Sequence, residues 1–214
     1  MSAIALPLPF AAVSPRWFRS PAERENCGLA REKASTEREL VRRSRRGDEE
    51  AFRALVDRHR DHAYGLALRI TRSREEAEDA AQEAFVRAWL ALPRFRGDSS
   101  FGTWLHAIVA RRALDRAVAR RSREARESDI GDTSAGAEVP AGEQRDVLLS
   151  RRLDRLIARL TPPQRAVVAL FYREEQAVGE IAEALGMPPN TVKTHLARAR
   201  AALREAWLQN AEAP

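Results

Sequence analysis

Apolar residues recur every three or four positions through most of the chain after residue 36, the spacing of helices that each bury one face. In the first long run, Gly47 interrupts the pattern and Asp48 can cap a new helix. The apolar stripe of this helix consists of Phe52, Leu55, Val56, His59, Ala63, Leu66 and Ile70. We therefore expect a long helix that begins near Asp48 and buries one face.

Two more helices are expected in the same half of the chain. Ser73, with Glu76 three residues later, forms the pattern of a capping box, and Pro93 is expected to end the helix that starts there. A polar loop at 94–100 leads to a third helix over 101–123.

Helical periodicity returns near the C-terminus after a stretch that lacks it. Its first apolar positions are Leu149, Leu153, Leu156, Ile157 and Leu160, and further helices are expected over 164–172, 178–185 and 190–207. No segment alternates apolar and polar residues as a half-buried strand does. The expected fold class is therefore all-α, with two small helical domains joined by a flexible linker.

Composition divides the chain into four parts. Residues 1–35 contain prolines and have no basic residue before their apolar run, so we expect a disordered extension or an overlong start rather than a targeting signal. Residues 36–123 are the first expected domain. Residues 124–145 are rich in Gly, Ser, Thr and acids and are expected to be a flexible acidic linker, and 146–208 are the second domain.

The chain is basic, with 37 Lys and Arg against 31 Asp and Glu in 214 residues and a formal net charge of +6. Nearly all the basic residues are arginine, which indicates a GC-rich genome or a polyanionic partner such as nucleic acid. Cys27 is the single cysteine, and the histidines form no HExxH-type motif, so we expect no metal, no cofactor and no enzyme. No run reaches the roughly 18 apolar residues of a membrane-spanning helix.

A helix-turn-helix is expected at 178–207. Its first helix ends at Gly186, which can adopt a left-handed conformation, and Asn190 can cap the second helix. That second helix carries basic residues and no acid over 190–204. Short polar side chains suit base edges and basic ones suit phosphates, whereas His195 suits base contact and partial burial equally. The candidate DNA-binding residues are Asn190, Thr191, Lys193, Thr194, His195, Arg198 and Arg200.

One face of the helix that follows Ser73 is acidic and contains Asp79, Gln82, Glu83 and Val86. Paired carboxylates also serve in acid–base catalysis, but no third catalytic partner accompanies these. We interpret the face as either a solvated surface or a docking site for another protein.

From 94 to 126 the charge reverses, with nine arginines against three acids. Aromatic residues lie among the arginines, as in proteins that hold single-stranded nucleic acid by charge and base stacking. Trp104 suits the core as well as a stacking role, and 94–100 suits a plain connection between helices as well as a binding loop. The candidate residues are Arg94, Phe95, Arg96, Asp98, Ser99, Ser100, Phe101, Trp104, Arg111, Arg112 and Arg116.

Taken together, four ordered blocks resemble bacterial sigma factors of the extracytoplasmic-function group in the sigma-70 family. The blocks are GDEEAF at 47–52, DAAQEAFVRAW at 79–89, FRGDSSFGTWL at 95–105, and LTPPQR at 160–165 with EIA at 180–182 and TVKT at 191–194. The resemblance covers 37–207 apart from the linker. Departures from the family's pattern occur at Gly102, His106, Arg111, Ala177, Asn190 and His195.

The resemblance implies a cytoplasmic, nucleoid-associated factor that binds core RNA polymerase and promoter DNA to direct initiation. The face with Asp79, Gln82, Glu83 and Val86 would dock on the polymerase clamp helices. The loop at 94–100 would capture a base flipped out of the −10 element, and the second domain would recognise the −35 element. An anti-sigma factor is an implied further partner. The alternative is a helix-turn-helix regulator that binds DNA but not core polymerase.

Overall fold

The computed structural model describes residues 37–127 and 155–209, with side chains described over 37–126 and 155–209. The predictions for the extension at 1–35, for most of the linker at 124–145, and for Cys27, Leu149 and Leu153 lie outside these residues. Within the two ranges every regular element is a helix and there is no strand, which confirms the all-α prediction.

Seven α-helices and one turn of 3₁₀ helix have both ends within these ranges, and residues 155–158 are helical as well. The complete elements are α1 (Glu37–Ser44), α2 (Glu49–Thr71), α3 (Arg74–Ala91), the 3₁₀ turn (Leu92–Arg94), α4 (Phe101–Glu127), α5 (Pro162–Tyr172), α6 (Val178–Leu185) and α7 (Pro189–Gln209). None of the described helices is long and apolar enough to cross a membrane.

The chain separates into two compact units, with the division inside α2 between Arg58 and His59. In the first unit, Asp48 begins α2 as predicted, because its carboxylate accepts a hydrogen bond of 3.0 Å from the backbone N–H of Ala51. The same carboxylate pairs with Arg43 of α1 at 2.7 Å. These bonds hold the pKa of Asp48 below its usual value, so the carboxylate caps α2 in its charged form.

In the second unit, α3 buries a series of alanines on the side that packs on α4. Its buried residues are Ala77, Ala80, Ala81, Ala84, Phe85 and Ala88. Small side chains allow two helices to approach closely, which places polar residues at the edges of the contact within reach of each other. Ser73 caps α3 as predicted, by accepting from the backbone N–H of Glu76. The Glu76 carboxylate instead contacts Arg123 and Arg116 of α4, because those cations lie beside it.

The C-terminal helices belong to the same unit, and α5 and α6 pack on α4. Thr161 and Gln164 form the capping box that begins α5. Arg165, on the buried side of α5, donates hydrogen bonds to the carbonyl oxygens of Ile70 at 2.8 Å and Leu160 at 2.7 Å. Burial and nearby arginines lower the pKa of Arg165 to about 10, so it remains charged at neutral pH. This arginine therefore ties α5 to the end of α2.

Candidate nucleic-acid and protein interfaces

Two helices separated by a short turn occupy the predicted helix-turn-helix, and the first of them ends at Gly186 as predicted. Gly186 ends α6 in the left-handed conformation with φ of +65°. The backbone N–H of Met187 then bonds to the carbonyl of Ala182 at 2.9 Å, which closes the turn. Ala177 has no capping oxygen, and its backbone N–H instead donates to the carboxylate of Glu180 at 2.7 Å. The turn between the two helices is therefore fixed by local bonds.

One boundary of the second helix differs from the prediction. Helix α7 begins at Pro189, so Asn190 lies inside its first turn and is not the cap. The carbonyl of Pro188 accepts from the backbone N–H groups of Thr191 and Val192 instead. A proline suits the first helical position because its fixed φ is helical and it has no N–H to leave unpaired.

The outer face of α7 is exposed, as its sequence predicts. Val192, Leu196 and Ala199 are buried, whereas the opposite side is open to solvent. The exposed members of the predicted DNA-binding set are Asn190, Lys193, Thr194, Arg198 and Arg200, and Thr191 is half-buried. A basic helix with an open face can approach the major groove of DNA.

Two side chains of this helix already have contacts. Arg200 donates to the Tyr172 hydroxyl at 2.7 Å and lies 5.7 Å from the ring centroids of Phe171 and Tyr172. His195 is half-buried, with its Nδ1 atom buried. Burial and the charge of Arg198 lower the pKa of His195, which favours a neutral ring. In this conformation the arrangement favours partial burial of His195 over base contact.

The predicted acidic face and the arginines of α4 lie against each other. Arg116 approaches Asp79 at 2.9 Å and Glu83 at 3.6 Å. Arg112 lies 3.6 Å from Glu83, which also pairs with Arg87 at 2.8 Å. Burial alone would raise the pKa of Glu83, but these arginines outweigh it and hold the pKa below its usual value. The carboxylate is thus charged at neutral pH.

Arg112 and Arg116, both in the predicted DNA-binding set, are paired with acids in this structure. Helices α3 and α4 pack antiparallel. This packing brings the guanidinium groups of both arginines to acids of α3. Gln82 and Val86 are half-buried at the edge of the same surface, and Asp79 is exposed. A docking partner would have to reach Asp79 and Glu83 beside the arginines that hold them.

The loop at 94–100 is exposed and stands on a cluster of aromatic rings. The ring centroids of Phe95 and Trp104 lie 4.8 Å apart, and those of Phe101 and Trp104 lie 5.8 Å apart. Phe95 and Phe101, both in the predicted DNA-binding set, are 9% and 2% exposed and so lie mostly within this cluster. Apolar rings at both ends of a polar loop gain more from packing together than from solvent exposure. Trp104 is half-buried and so is only partly in the core.

The polar residues of this loop remain accessible. The side chains of Arg94, Arg96, Asp98 and Ser99 are exposed, and Arg96 pairs with Asp98 at 3.0 Å in full solvent. Ser100 is also exposed, but its hydroxyl accepts from the backbone N–H of Thr103 at 3.0 Å and so caps α4. Gly97 has φ of +83°, which allows the sharp bend.

Helix α4 also faces the helix-turn-helix. Arg111 lies beside the turn, where a Cβ placed on Gly186 would be 3.5 Å from Arg111 Nη1. An open cleft of about 510 Å³ lies between α4, α5 and α7 and is lined by Arg121, Ser122, His195 and Arg198, among others. Arg111 of the predicted −10 set therefore lies beside the turn of the helix-turn-helix. His195 and Arg198 of the predicted −35 set line a cleft against the C-terminal half of α4.

Sequence reasoning missed a polar cluster that the fold assembles. His62 of α2 and His106 of α4 both contact the carboxylate of Glu174, just after α5, at 2.9 Å and 2.6 Å. Burial alone would raise the pKa of Glu174, but the hydrogen bonds and charges of the two histidines lower it. These residues are too far apart in sequence for any motif to indicate their contact.

The sequence matches family models over both halves. Residues 55–124 match Sigma-70 region 2, and residues 150–203 match Sigma-70, region 4. The ECF RNA polymerase sigma factor SigW of Bacillus subtilis is 32% identical over 174 residues, covering 77% of this chain and 93% of SigW. The RNA polymerase sigma-H factor of Pseudomonas aeruginosa is 34% identical over 182 residues, covering 79% and 93% respectively.

Solved structures show the same fold. CnrH, solved in complex with the cytosolic domain of CnrY, has a TM-score of 0.53 and 26% identity, covering 83% of this chain and 99% of CnrH. The sigma factor RpoE of Bartonella quintana, solved with the anti-sigma factor NepR, has a TM-score of 0.57 at 23% identity, covering 73% of this chain and 96% of RpoE. These likenesses accord with the all-α prediction.

The prediction drawn from the four sequence blocks is confirmed, and the alternative of a helix-turn-helix regulator that binds DNA but not core polymerase is not supported. The chain belongs to the sigma-70 family, in the extracytoplasmic-function group of RNA polymerase sigma factors, and directs promoter-specific transcription initiation.

Proposed function

We propose that this sigma factor binds core RNA polymerase through Asp79, Gln82, Glu83 and Val86, recognises the −10 element with the loop at 94–100, and recognises the −35 element with α7. The single observation that carries the proposal is the exposed, basic outer face of α7, which follows a fixed helix-turn-helix turn. The acidic face of α3 and the exposed polar loop at 94–100 lie in the other matched region of the same chain.

The docking role of α3 is supported by the charge of its surface. Glu83 keeps a lowered pKa and so presents a negative charge at neutral pH, and the Asp79 carboxylate on the same face is exposed. Ion pairs at the protein surface contribute only about 0–1 kcal/mol each, so a basic partner surface can replace the half-buried arginines of α4 at little cost. Release of Arg112 and Arg116 would then leave these two cations free to hold the DNA backbone.

The loop at 94–100 is suited to binding a flipped nucleotide base. Its residues other than Phe95 are exposed, whereas the aromatic rings of Phe95, Phe101 and Trp104 beneath it are packed together. Extrusion of a base costs a few kcal/mol of unstacking energy, which contacts to that base must offset. Arg94, Arg96, Asp98 and Ser99 offer donors and acceptors to a base edge. In this proposal Phe95 and Phe101 position the loop.

On α7, we assign Thr191 and Thr194 to base edges and Lys193 and Arg198 to phosphates. The N-terminal turn of a recognition helix is the part that enters the major groove. Arg200 sits further along and is bound to Tyr172, so its contact with DNA would require that bond to open.

The proposal extends to the organisation and setting of the protein. Residues 36–123 act as the region that binds polymerase and the −10 element, 146–208 act as the −35 region, and 124–145 link them, with 1–35 as an extension. The protein acts in the cytoplasm at the nucleoid, has no catalytic activity, and is regulated by an anti-sigma factor. The last point is supported by RpoE, which was solved with the anti-sigma factor NepR.

The docking assignment is tested by single charge reversals in α3. Asp79→Lys and Glu83→Lys should each weaken binding of the full chain to core polymerase, because they place a cation beside arginines and remove the negative surface. Glu78→Lys is the matched control, since Glu78 is an exposed acid of the same helix about a quarter turn away. Equal core affinity for all three variants would overturn the assignment.

The loop assignment needs a separate experiment. Replacement of residues 94–100 by an unrelated loop of equal length should leave core binding unchanged but abolish transcription from duplex promoters. A promoter with a pre-melted −10 region should restore part of the activity without base preference. Retention of duplex opening with the original −10 preference would show that the loop is not the recognition element.

A further inference from the structure

The cluster of His62, His106 and Glu174 has the composition of a metal site. His62 Nε2 lies 2.9 Å from one oxygen of the Glu174 carboxylate, and His106 Nδ1 lies 2.6 Å from the other. The three donor atoms all lie within 4.8 Å of one another. We propose that these side chains bind a divalent transition-metal ion, and that Zn²⁺ is the ion their donor set fits.

The donor chemistry favours zinc over the hard cations. Calcium and magnesium take oxygen ligands, whereas imidazole nitrogen with one carboxylate is a common zinc set. Three protein ligands leave a fourth tetrahedral position for water or another donor. Neither histidine has a part in the proposed contacts with DNA or polymerase, so a metal role does not compete with those functions.

The geometry requires only small movements. With metal–ligand bonds of about 2.0–2.2 Å, neighbouring donor atoms in a tetrahedral site are separated by about 3.3 Å. The two histidine–carboxylate distances, 2.9 and 2.6 Å to different oxygens of Glu174, would open by about 0.4 and 0.7 Å. The side chain of His62 is 44% exposed, so it can rotate to close any wider separation.

Burial favours retention of an ion once it is bound. The side chains of Glu174 and His106 are 4% and 9% exposed, which limits the competition of water for their donor atoms. The more open His62 provides the side from which an ion can enter. The Nε2 atom of His106 is buried with no hydrogen-bond partner among the described residues, so its ring is held by packing and by Glu174.

A metal here would join the two regions of the sigma factor. His62 and His106 lie in the segment matched to region 2, and Glu174 lies in the segment matched to region 4. An ion bound by all three would favour the arrangement in which Arg111 lies beside Gly186. Since a ligand that binds only the folded form stabilises it, the bound ion should also raise the melting temperature.

The test is a titration of the full chain, freed of any affinity tag and treated with chelator, with Co²⁺ as a spectroscopic probe and Zn²⁺ as competitor. We expect one equivalent of Co²⁺ to produce visible ligand-field absorption that Zn²⁺ abolishes. Glu174→Gln and His106→Asn should each weaken Zn²⁺ binding at least about tenfold, as losses around metal sites commonly do. Glu175→Gln, an exposed neighbour, should bind as the unmodified protein does.

The variants keep the test decisive even if one fails to fold. His106 is buried, so far-UV circular dichroism must accompany its variant, and His62→Asn, at an exposed side chain, gives the same answer without that risk. Absence of one-equivalent binding in the unmodified protein, or equal binding by Glu174→Gln and Glu175→Gln, would overturn the proposal. Because the assay uses neither DNA nor polymerase, its outcome is independent of the proposed promoter contacts.

Discussion

Replacement of Gly186 by alanine should destabilise the protein through backbone conformation alone. Gly186 has φ of +65° at the end of α6. The left-handed conformation costs an L-residue about 1–2 kcal/mol, while reduced freedom of the unfolded chain returns about 0.4–1 kcal/mol. The expected net loss is about 1 kcal/mol. Steric crowding adds nothing to this loss of stability, because the new Cβ would lie 3.5 Å from Arg111 Nη1, an ordinary van der Waals distance.

Gly179 in the same helix provides the matched control. Its backbone is helical, and a Cβ placed there has no neighbour within 4 Å. Gly179→Ala should therefore stabilise the protein by about 0.4–1 kcal/mol, chiefly by reducing the freedom of the unfolded chain. Glycine-to-alanine substitution at these two positions of the helix-turn-helix is thus expected to change the free energy of unfolding in opposite directions.

The measurement is urea unfolding of the full chain, followed by circular dichroism, for each variant. Gly186→Asn should fall between glycine and alanine, since asparagine enters the left-handed region more readily. A stabilising Gly186→Ala would refute the reasoning. So would recovery of its stability by a second change, Arg111→Ala, because that result would mean that crowding, and not φ, sets the cost.

Three further predictions concern stability and DNA binding. Arg165→Met should destabilise the protein by about 2–4 kcal/mol in urea unfolding, because the carbonyls of Ile70 and Leu160 lose a charged donor; a loss below 1 kcal/mol would contradict this role. Glu83 has a lowered pKa in the folded protein. The stability contributed by its charged carboxylate is therefore fully present at pH values above the usual pKa of glutamate, and it is lost as the pH falls through the folded-state pKa. Glu83→Gln should therefore reduce the difference in stability between neutral and acid solution, and an unchanged pH profile would contradict it. Arg198→Ala should weaken binding to all DNA sequences and flatten the salt slope by about one unit; a changed base preference with an unchanged slope would contradict the phosphate assignment.

The elements and the helix-turn-helix could be predicted from the sequence because their causes are local. Gly186 ends one helix through its own backbone freedom, and Ser73 caps another through a bond three residues away. The error at Asn190 has a local cause as well, since Pro189 takes the first helical position and moves the start of the helix. Such errors of one residue do not alter which face of the helix is exposed.

The partners of the candidate residues could not be predicted in the same way. Periodicity places Arg116 and Asp79 on the polar faces of their helices, but only the packing of α3 on α4 brings them within 2.9 Å. Likewise, the burial of Phe101 and the contact of His106 with Glu174 depend on residues distant in sequence. Sequence pattern indicates which face is polar, whereas the fold determines what that face touches.

The most direct test of the account is transcription by core RNA polymerase of the same organism, with and without this chain, on a library of duplex promoters whose transcripts are sequenced. We predict start sites that require the chain and that share one −35 and −10 pair. Asp79→Lys should abolish these transcripts, and Glu78→Lys should retain them. Transcripts unchanged by addition of the chain, although the chain binds the same DNA, would contradict the account.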